Sequence, residues 1–269
     1  MPQENFSKVC FYIVAHADDW QLFMQPNAFN DLASPDTKVV FIITTAGDAG
    51  ADETYWLSRE EGLKSSVRFC MSPIKKVSES VATRNFFEHS INCWSANSAR
   101  CYFLRLPDGN LDGKGFATYQ FQSLNKLRTG EFRCIKAVDG SASYDSWKDL
   151  CATLQSIIEF ESKDISDIFI NYLNPDRVAN PNDHVDHIGT GQAVQDMAIV
   201  SNLKQTLFVG YSVHTMQKNL APADMFWKAG MFAAYEKAVC DISGYSTLKE
   251  DIQVYQRWCL SAASFTINS

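Results

Sequence analysis

Apolar residues fall along the chain in two patterns: short unbroken runs, and longer stretches with helical spacing. Residues 9–14 (Val-Cys-Phe-Tyr-Ile-Val) and 39–45 (Val-Val-Phe-Ile-Ile-Thr-Thr) are runs rich in β-branched and aromatic side chains. Such runs suit strands covered on both faces, as in parallel sheets. Between them, residues 19–32 have the length of a helix of about three turns, and Ser34-Pro35-Asp36 reads as a turn. The three pieces make a β-α-β unit, which implies a right-handed crossover and a parallel sheet. Ala46-Gly47-Asp48-Ala49-Gly50 then forms a loop at the carboxyl end of the second strand.

Further on, helical spacing predicts a helix over 55–69 that turns Trp56, Leu63, Val67 and Cys70 inward, with Arg59, Glu60 and Glu61 on or beside its polar side. Residues 101–106 read as a strand closed by the turn Pro107-Asp108-Gly109-Asn110. A helix over 146–160 carries Leu150, Leu154, Ile157 and Ile158, and a strand over 168–173 runs into a loop that ends at Asp183. Helices follow over 188–200, 223–239 and 248–260, with a strand over 207–211. Strands alternating with helices give an α/β class. Without repeats or a low-complexity linker, residues 1–269 are expected to form a single domain with irregular insertions around 71–100 and 112–145.

Composition changes this picture little. The net charge of −7 gives no reason to expect a nucleic-acid or anionic-membrane surface. The eight cysteines have no CxxC pair and no regular spacing, so they read as scattered small apolar residues with reduced thiols. No apolar run is long enough for a signal or a membrane span, and the expected location is cytoplasmic. A homo-oligomer is left open.

The candidate chemistry lies in two clusters. Ala15-His16-Ala17-Asp18-Asp19 directly follows the first strand, and Asp183-His184-Val185-Asp186-His187 follows the 168–173 strand. Ligands of open α/β sheets bind beyond the carboxyl ends of the strands, so both clusters belong to one edge. His16 and Asp19, and likewise His184 and His187, are three residues apart and share a helix face if a helix starts there. Two imidazoles and one carboxylate with a position left for water compose a catalytic zinc site. His16, Asp19 and His187 are therefore the expected metal ligands, and Asp18 is left to accept a proton. The plainer reading of the same residues is N-capping: Asp18 or Asp19 for the first helix, and the aspartates of the second cluster for the next. His89 and His214 lie in no comparable cluster of histidines and aspartates and read as structural.

Five motifs occur here in the order seen in the PIG-L/LmbE-like de-N-acetylases, and the match runs from about Val9 to about Ala198. They are Ala15-His16-Ala17-Asp18-Asp19, Thr44-Thr45-Ala46-Gly47-Asp48, Arg59 with Glu60-Glu61, Leu106-Pro107-Asp108-Gly109, and His184-Val185-Asp186-His187-Ile188-Gly189. This resemblance implies a Rossmann-like, mostly parallel sheet with helices on both faces. It also implies a zinc-dependent hydrolase that removes acetyl or another acyl group from an N-acylated amino sugar or glycoconjugate. The family pattern places zinc on His16, Asp19 and His187 and makes Asp18 the general base. It gives His184 the oxyanion or the leaving amine, with Asp186 orienting it, and puts Asp48, Arg59 and Asp108 on sugar hydroxyls or in support of the pocket.

Where the family usually has proline, this chain has Ala17 and Val185, and Trp20 replaces a glutamate. Trp20 beside the metal would stack on a sugar ring or narrow the pocket, which makes it a further substrate-binding candidate. A tyrosine found in some relatives two residues before His184, where the second histidine-bearing motif begins, is here Asn182. Two rival readings remain. One is a non-haem Fe(II) oxygenase, since two histidines and a carboxylate also bind Fe2+, although such triads usually sit on β-barrels. The other is a catalytically silent sugar-binding protein on the same fold.

Overall fold

The computed structural model describes residues 6–74 and 76–267, apart from the Glu250 side chain. Its first half runs β1 (Lys8–Val14), α1 (Asp19–Phe23), α2 (Asn27–Ala33), β2 (Thr37–Thr45), α3 (Glu53–Met71), β3 (Glu79–Phe86), β4 (His89–Ala96) and β5 (Ala99–Leu106). After the short α4 (Leu124–Thr129), β6 (Ile135–Lys136) and β7 (Ser143–Tyr144) come α5 (Trp147–Glu161), β8 (Asp167–Leu173) and α6 (Val185–Gln195). The chain then forms β9 (Lys204–Phe208), α7 (Pro222–Ser243), α8 (Thr247–Trp258) and β10 (Ser264–Ile267).

Eight strands form one sheet in the order β10-β9-β8-β1-β2-β5-β4-β3. The five central strands, β9 to β5 in that order, are parallel to one another, and the outer pairs are antiparallel. This is the expected α/β sheet. The unbroken apolar runs have a simple cause. Cys10, Tyr12, Val14, Val39, Phe41 and Ile43 feed one core, together with residues of α1, α2, α3 and α7. The alternate residues Val9, Phe11, Ile13, Val40 and Ile42 feed a second core against α4, α5 and α6. A strand packed on both faces has no position left for a polar side chain.

Several elements differ from the sequence expectation. The helix expected over 19–32 is two helices separated at Pro26, because the residue before a proline is disfavoured in helical conformation. Residues 79–96, expected to be irregular, form the antiparallel pair β3–β4. Five of the first six β3 residues and the seventh are exposed, so it carries no apolar alternation. β10 is exposed along its whole length, and the pattern analysis contained no strand there. Arg59 and Glu60 of α3 are buried rather than polar-face residues, and Glu60 accepts a bidentate pair of hydrogen bonds from Arg105 at 2.6 and 2.8 Å.

After β5 the chain crosses to the far side of β1 to add β8, so strand order reverses between β1 and β8. That switch point opens a crevice at the carboxyl ends of both strands. Helices α3 and α7 pack closely on one face of the sheet, and Gly62 permits the approach: a Cβ there would stand 2.5 Å from Tyr235 Cδ2. Gly62→Ala is expected to cost about 1–3 kcal/mol through overpacking, read as a lower urea midpoint with unchanged m-value.

Candidate metal and acid-base site

Both clusters meet at the switch point. The loop after β1 carries His16 and Asp18, and Asp19 opens α1. His184 ends the loop after β8 and caps α6, its Nδ1 accepting the Asp186 N–H at 3.1 Å. The N-cap is therefore a histidine, and the aspartates beside it are released for other contacts.

His16 Nδ1, His187 Nε2 and Asp19 Oδ1 form a triangle with edges of 3.1, 3.0 and 3.6 Å. Ligand bonds of about 2.0–2.2 Å at tetrahedral angles separate donor atoms by about 3.3 Å, so the triangle fits one zinc-sized cation with a side left open. Two of the corners are braced. His187 Nδ1 lies 2.9 Å from Asp183 Oδ1, and Asp19 Oδ2 accepts the His16 N–H at 2.8 Å. His16 Nε2 is buried without a hydrogen-bond partner among the described residues and faces Asp186 Oδ2 at 3.6 Å and Asp108 Oδ2 at 3.8 Å.

A second grouping, His16 with Asp108, His184 and Asp186, shares the same ring. Its ion-pair separations are wider, 3.6–3.9 Å, and the Asp186 N–H occupies His184 Nδ1. The first grouping suits a cation better.

The electrostatics match a cation-accepting centre. Burial pulls the His16 imidazolium down, but Asp19, Asp186 and Asp108 outweigh it and raise its pKa to about 9. Burial also opposes the charge on His187, and Asp183 and Asp19 carry it well above the usual imidazole value. His184 moves the other way, to about 4, through burial and the neighbouring His16 charge, so it is a neutral ring. With its Nδ1 accepting, neutral His184 carries its proton on Nε2.

Asp18 opens into the same cavity but is not free of partners. Its Oδ1 accepts Arg59 Nη2 at 2.5 Å. Arg59 is fully engaged: Nη1 donates to the Gly47 carbonyl at 2.6 Å and Nε to the Tyr235 hydroxyl at 2.8 Å. It thus holds Asp18 and offers no free nitrogen to a sugar.

Asp48 is wholly buried and lines no part of the cavity. Its two oxygens accept the Asp108 and Gly50 N–H groups at 2.8 and 2.9 Å, tying the loop after β5 to the loop after β2, while burial raises its pKa to about 6. Asp108 does line the cavity. The Asp186 carboxylate accepts the Gly109 N–H at 2.8 Å, so the backbone N–H of Asp186, not its side chain, orients His184.

Trp20 is displaced from its expected role. It is completely buried with its ring 4.7 Å from Phe41, because one residue past Asp19 is a step of about 100° around the helix, which turns it into the sheet-facing core. Aromatic lining comes instead from Phe23, Tyr55, Tyr211, Tyr245, Tyr255 and Trp258. The cavity measures about 150 Å³. His89 stands apart, 2.9 Å from Asp149 of α5.

Sequence reasoning assigned no role to Asp183, although its spacing of four from His187 was a visible signal. It also missed Tyr211 and Tyr255, which carry no local motif.

Comparison with known proteins identifies the family and the fold. The family model for PIG-L, GlcNAc-PI de-N-acetylase, matches residues 11–198. No curated protein matches the chain. Among solved structures, a deacetylase triple mutant (Orf2*T) of the teicoplanin biosynthetic pathway superposes with a TM-score of 0.50 at 10% identity, covering 93% of this chain and 89% of that one. A deacetylase–bog complex from the teicoplanin pathway gives 0.50 at 13% identity, with 93% and 90% covered. At such identities these two likenesses concern the fold. Among the described residues, no helix is long and apolar enough to cross a membrane.

Asp183→Asn keeps the shape of the carboxylate behind His187 but removes its charge. It is expected to weaken zinc binding 10–100-fold in chelator competition while leaving the fold, read by circular dichroism, intact.

Proposed function

The chain belongs to the PIG-L family of GlcNAc-PI de-N-acetylases, and on that premise we propose that it is a zinc-dependent hydrolase removing the acyl group from an N-acylated amino sugar. The observation that carries this reading is the His16–Asp19–His187 triangle, two of whose corners, His16 and Asp19, line one cavity with Asp18 and His184. Bound there, zinc would supply Lewis acidity toward a carbonyl oxygen and toward water.

The protein's own groups then have distinct tasks. Arg59 occupies Asp18 Oδ1, and Oδ2 has no protein partner among the described residues, so that oxygen takes the proton of the attacking water. His184, neutral and with its proton on Nε2, donates a hydrogen bond to the oxyanion as the carbonyl becomes tetrahedral. A neutral imidazole is a poor proton source for the leaving amine. The proton that Asp18 has gained goes to that nitrogen, the C–N bond breaks, and carboxylate and amine leave. Asp108 lines the cavity beside these groups and is placed to accept from a substrate hydroxyl.

The Fe(II) oxygenase alternative loses the β-barrel that such triads usually occupy, since this sheet is open and mostly parallel. Fe2+ in place of zinc at the same three ligands would leave the acid-base assignments as they stand. A silent binding protein has no use for a carboxylate fixed beside the triangle.

Asp18→Asn retains an acceptor for Arg59. It is expected to keep stoichiometric zinc while kcat for acetate release from N-acetylglucosaminides falls about 10²–10⁴-fold. His187→Ala is expected to lose both metal and activity. Equal metal loss in the two variants would refute the division of roles.

A further inference from the structure

Three tyrosine hydroxyls in the cavity have no protein partner among the described residues: those of Tyr55, Tyr211 and Tyr255. They come from distant parts of the chain. Tyr55 stands in the first turn of α3, Tyr211 follows β9, and Tyr255 lies on α8. Two of the three lie beyond the segment matched by the family model, residues 11–198.

Each ring is fixed by contacts that leave its hydroxyl unused. The Tyr211 N–H donates to Asp183 Oδ1 at 3.0 Å, its carbonyl accepts Trp258 Nε1 at 2.9 Å, and its ring stacks on Trp258 at 5.0 Å. Its edge meets His187 at 5.1 Å, which places it against the metal triangle. Tyr255 stacks on Phe232 at 5.1 Å, and Tyr55 packs edge-on against Tyr245 at 5.1 Å. A phenol is protonated at neutral pH, so all three hydroxyls are able to donate.

Fixed phenols that present both ring and hydroxyl suit a ligand with alternating C–H and O–H groups, because the ring covers the apolar part while the hydroxyl pairs with the polar part. A fatty chain would leave three hydroxyls unpaired. An anionic group would find no free guanidinium or ammonium among the described lining residues, since Arg59 is already bonded to Asp18, Gly47 and Tyr235, and the His16 ring is held between Asp19, Asp108 and Asp186. Asp18, Asp19 and Asp108 would repel it further.

We propose that Tyr55, Tyr211 and Tyr255 form the specificity subsite of this chain, selecting an uncharged pyranose ring as the carrier of the amide. The proposal rests on the amide-hydrolysis reading for its catalytic context, but its test does not.

The full-length, metal-free protein is titrated by calorimetry with methyl N-acetyl-β-glucosaminide and with N-cyclohexylacetamide, which keeps the amide and ring size but has no ring hydroxyls. The sugar is expected to bind at least about tenfold more tightly. Tyr55→Phe, Tyr211→Phe and Tyr255→Phe keep the ring packing, and each is expected to weaken the sugar about tenfold while leaving the cyclohexyl compound within about twofold. Equal affinity of the wild type for both compounds, or unchanged sugar affinity in any two Phe variants, overturns the proposal. Acetate release by the zinc-loaded enzyme separates the two ideas. Equal release from both compounds defeats the subsite and leaves the hydrolase standing, whereas preferential sugar binding without release defeats the hydrolase and supports the subsite.

Discussion

The site depends on one electrostatic constraint: two strand ends bring His16, Asp19, Asp183 and His187 together where little solvent screens their charges. Asp19 and His187 are essentially inaccessible, and Asp183 and His16 are nearly so. An isolated charge in such surroundings is very costly, so the carboxylates and imidazoles are stable only as an interlocked set. Asp183 holds the outer nitrogen of His187, Asp19 faces both rings, and the His16 N–H fixes the far oxygen of Asp19. Burial alone would discharge every member. Proximity keeps the carboxylates ionised and both rings charged until a cation takes the protons' place.

The same constraint explains why Arg59 became a structural part of the centre. Asp18 adds one more carboxylate beside the triangle, and a guanidinium whose three nitrogens each donate a hydrogen bond balances it at one oxygen only. Through Tyr235 that guanidinium also connects the loop after β1 to α7. Helix α7 in turn anchors α8, since Glu236 accepts from the Ser246 and Thr247 hydroxyls and from the Leu248 N–H at the start of α8. The C-terminal helices are thereby registered to the acid-base group, although they share none of its motifs.

The central strands were legible because a strand covered on both faces must be apolar at every position, and β1, β2 and β8 satisfy that closely. The edge strands lack this requirement. β3 and β10 are exposed, so nothing in their sequences separates them from loops. Within the candidate site, spacing brought His16, Asp19 and His187 together correctly, because both clusters sit at strand ends whose meeting follows from parallel topology. Side-chain direction was less legible. Trp20, one position past Asp19 of the triangle, faces the core, and Asp48, in a loop that suggests substrate contact, spends both oxygens on backbone N–H groups. Such outcomes depend on a helical phase or on a loop-to-loop bond that no short window of sequence contains.

Chemistry and selection therefore arise from different parts of the chain. Residues 16–187 hold the triangle, Asp18 and His184, and all of them depend on strand ends fixed by backbone pairing. The wall facing them is largely built from residues 211–258, held by stacked aromatic rings and by the Glu236 cap. Aromatic packing tolerates substitution far better than an interlocked cluster of buried charges. A fold arranged in this way can change its substrate by repacking α8 while the buried charges stay fixed. The loss of a tyrosine two residues before His184, at Asn182, is thus compatible with phenol groups reaching the cavity from Tyr211 and Tyr255 on the opposite wall.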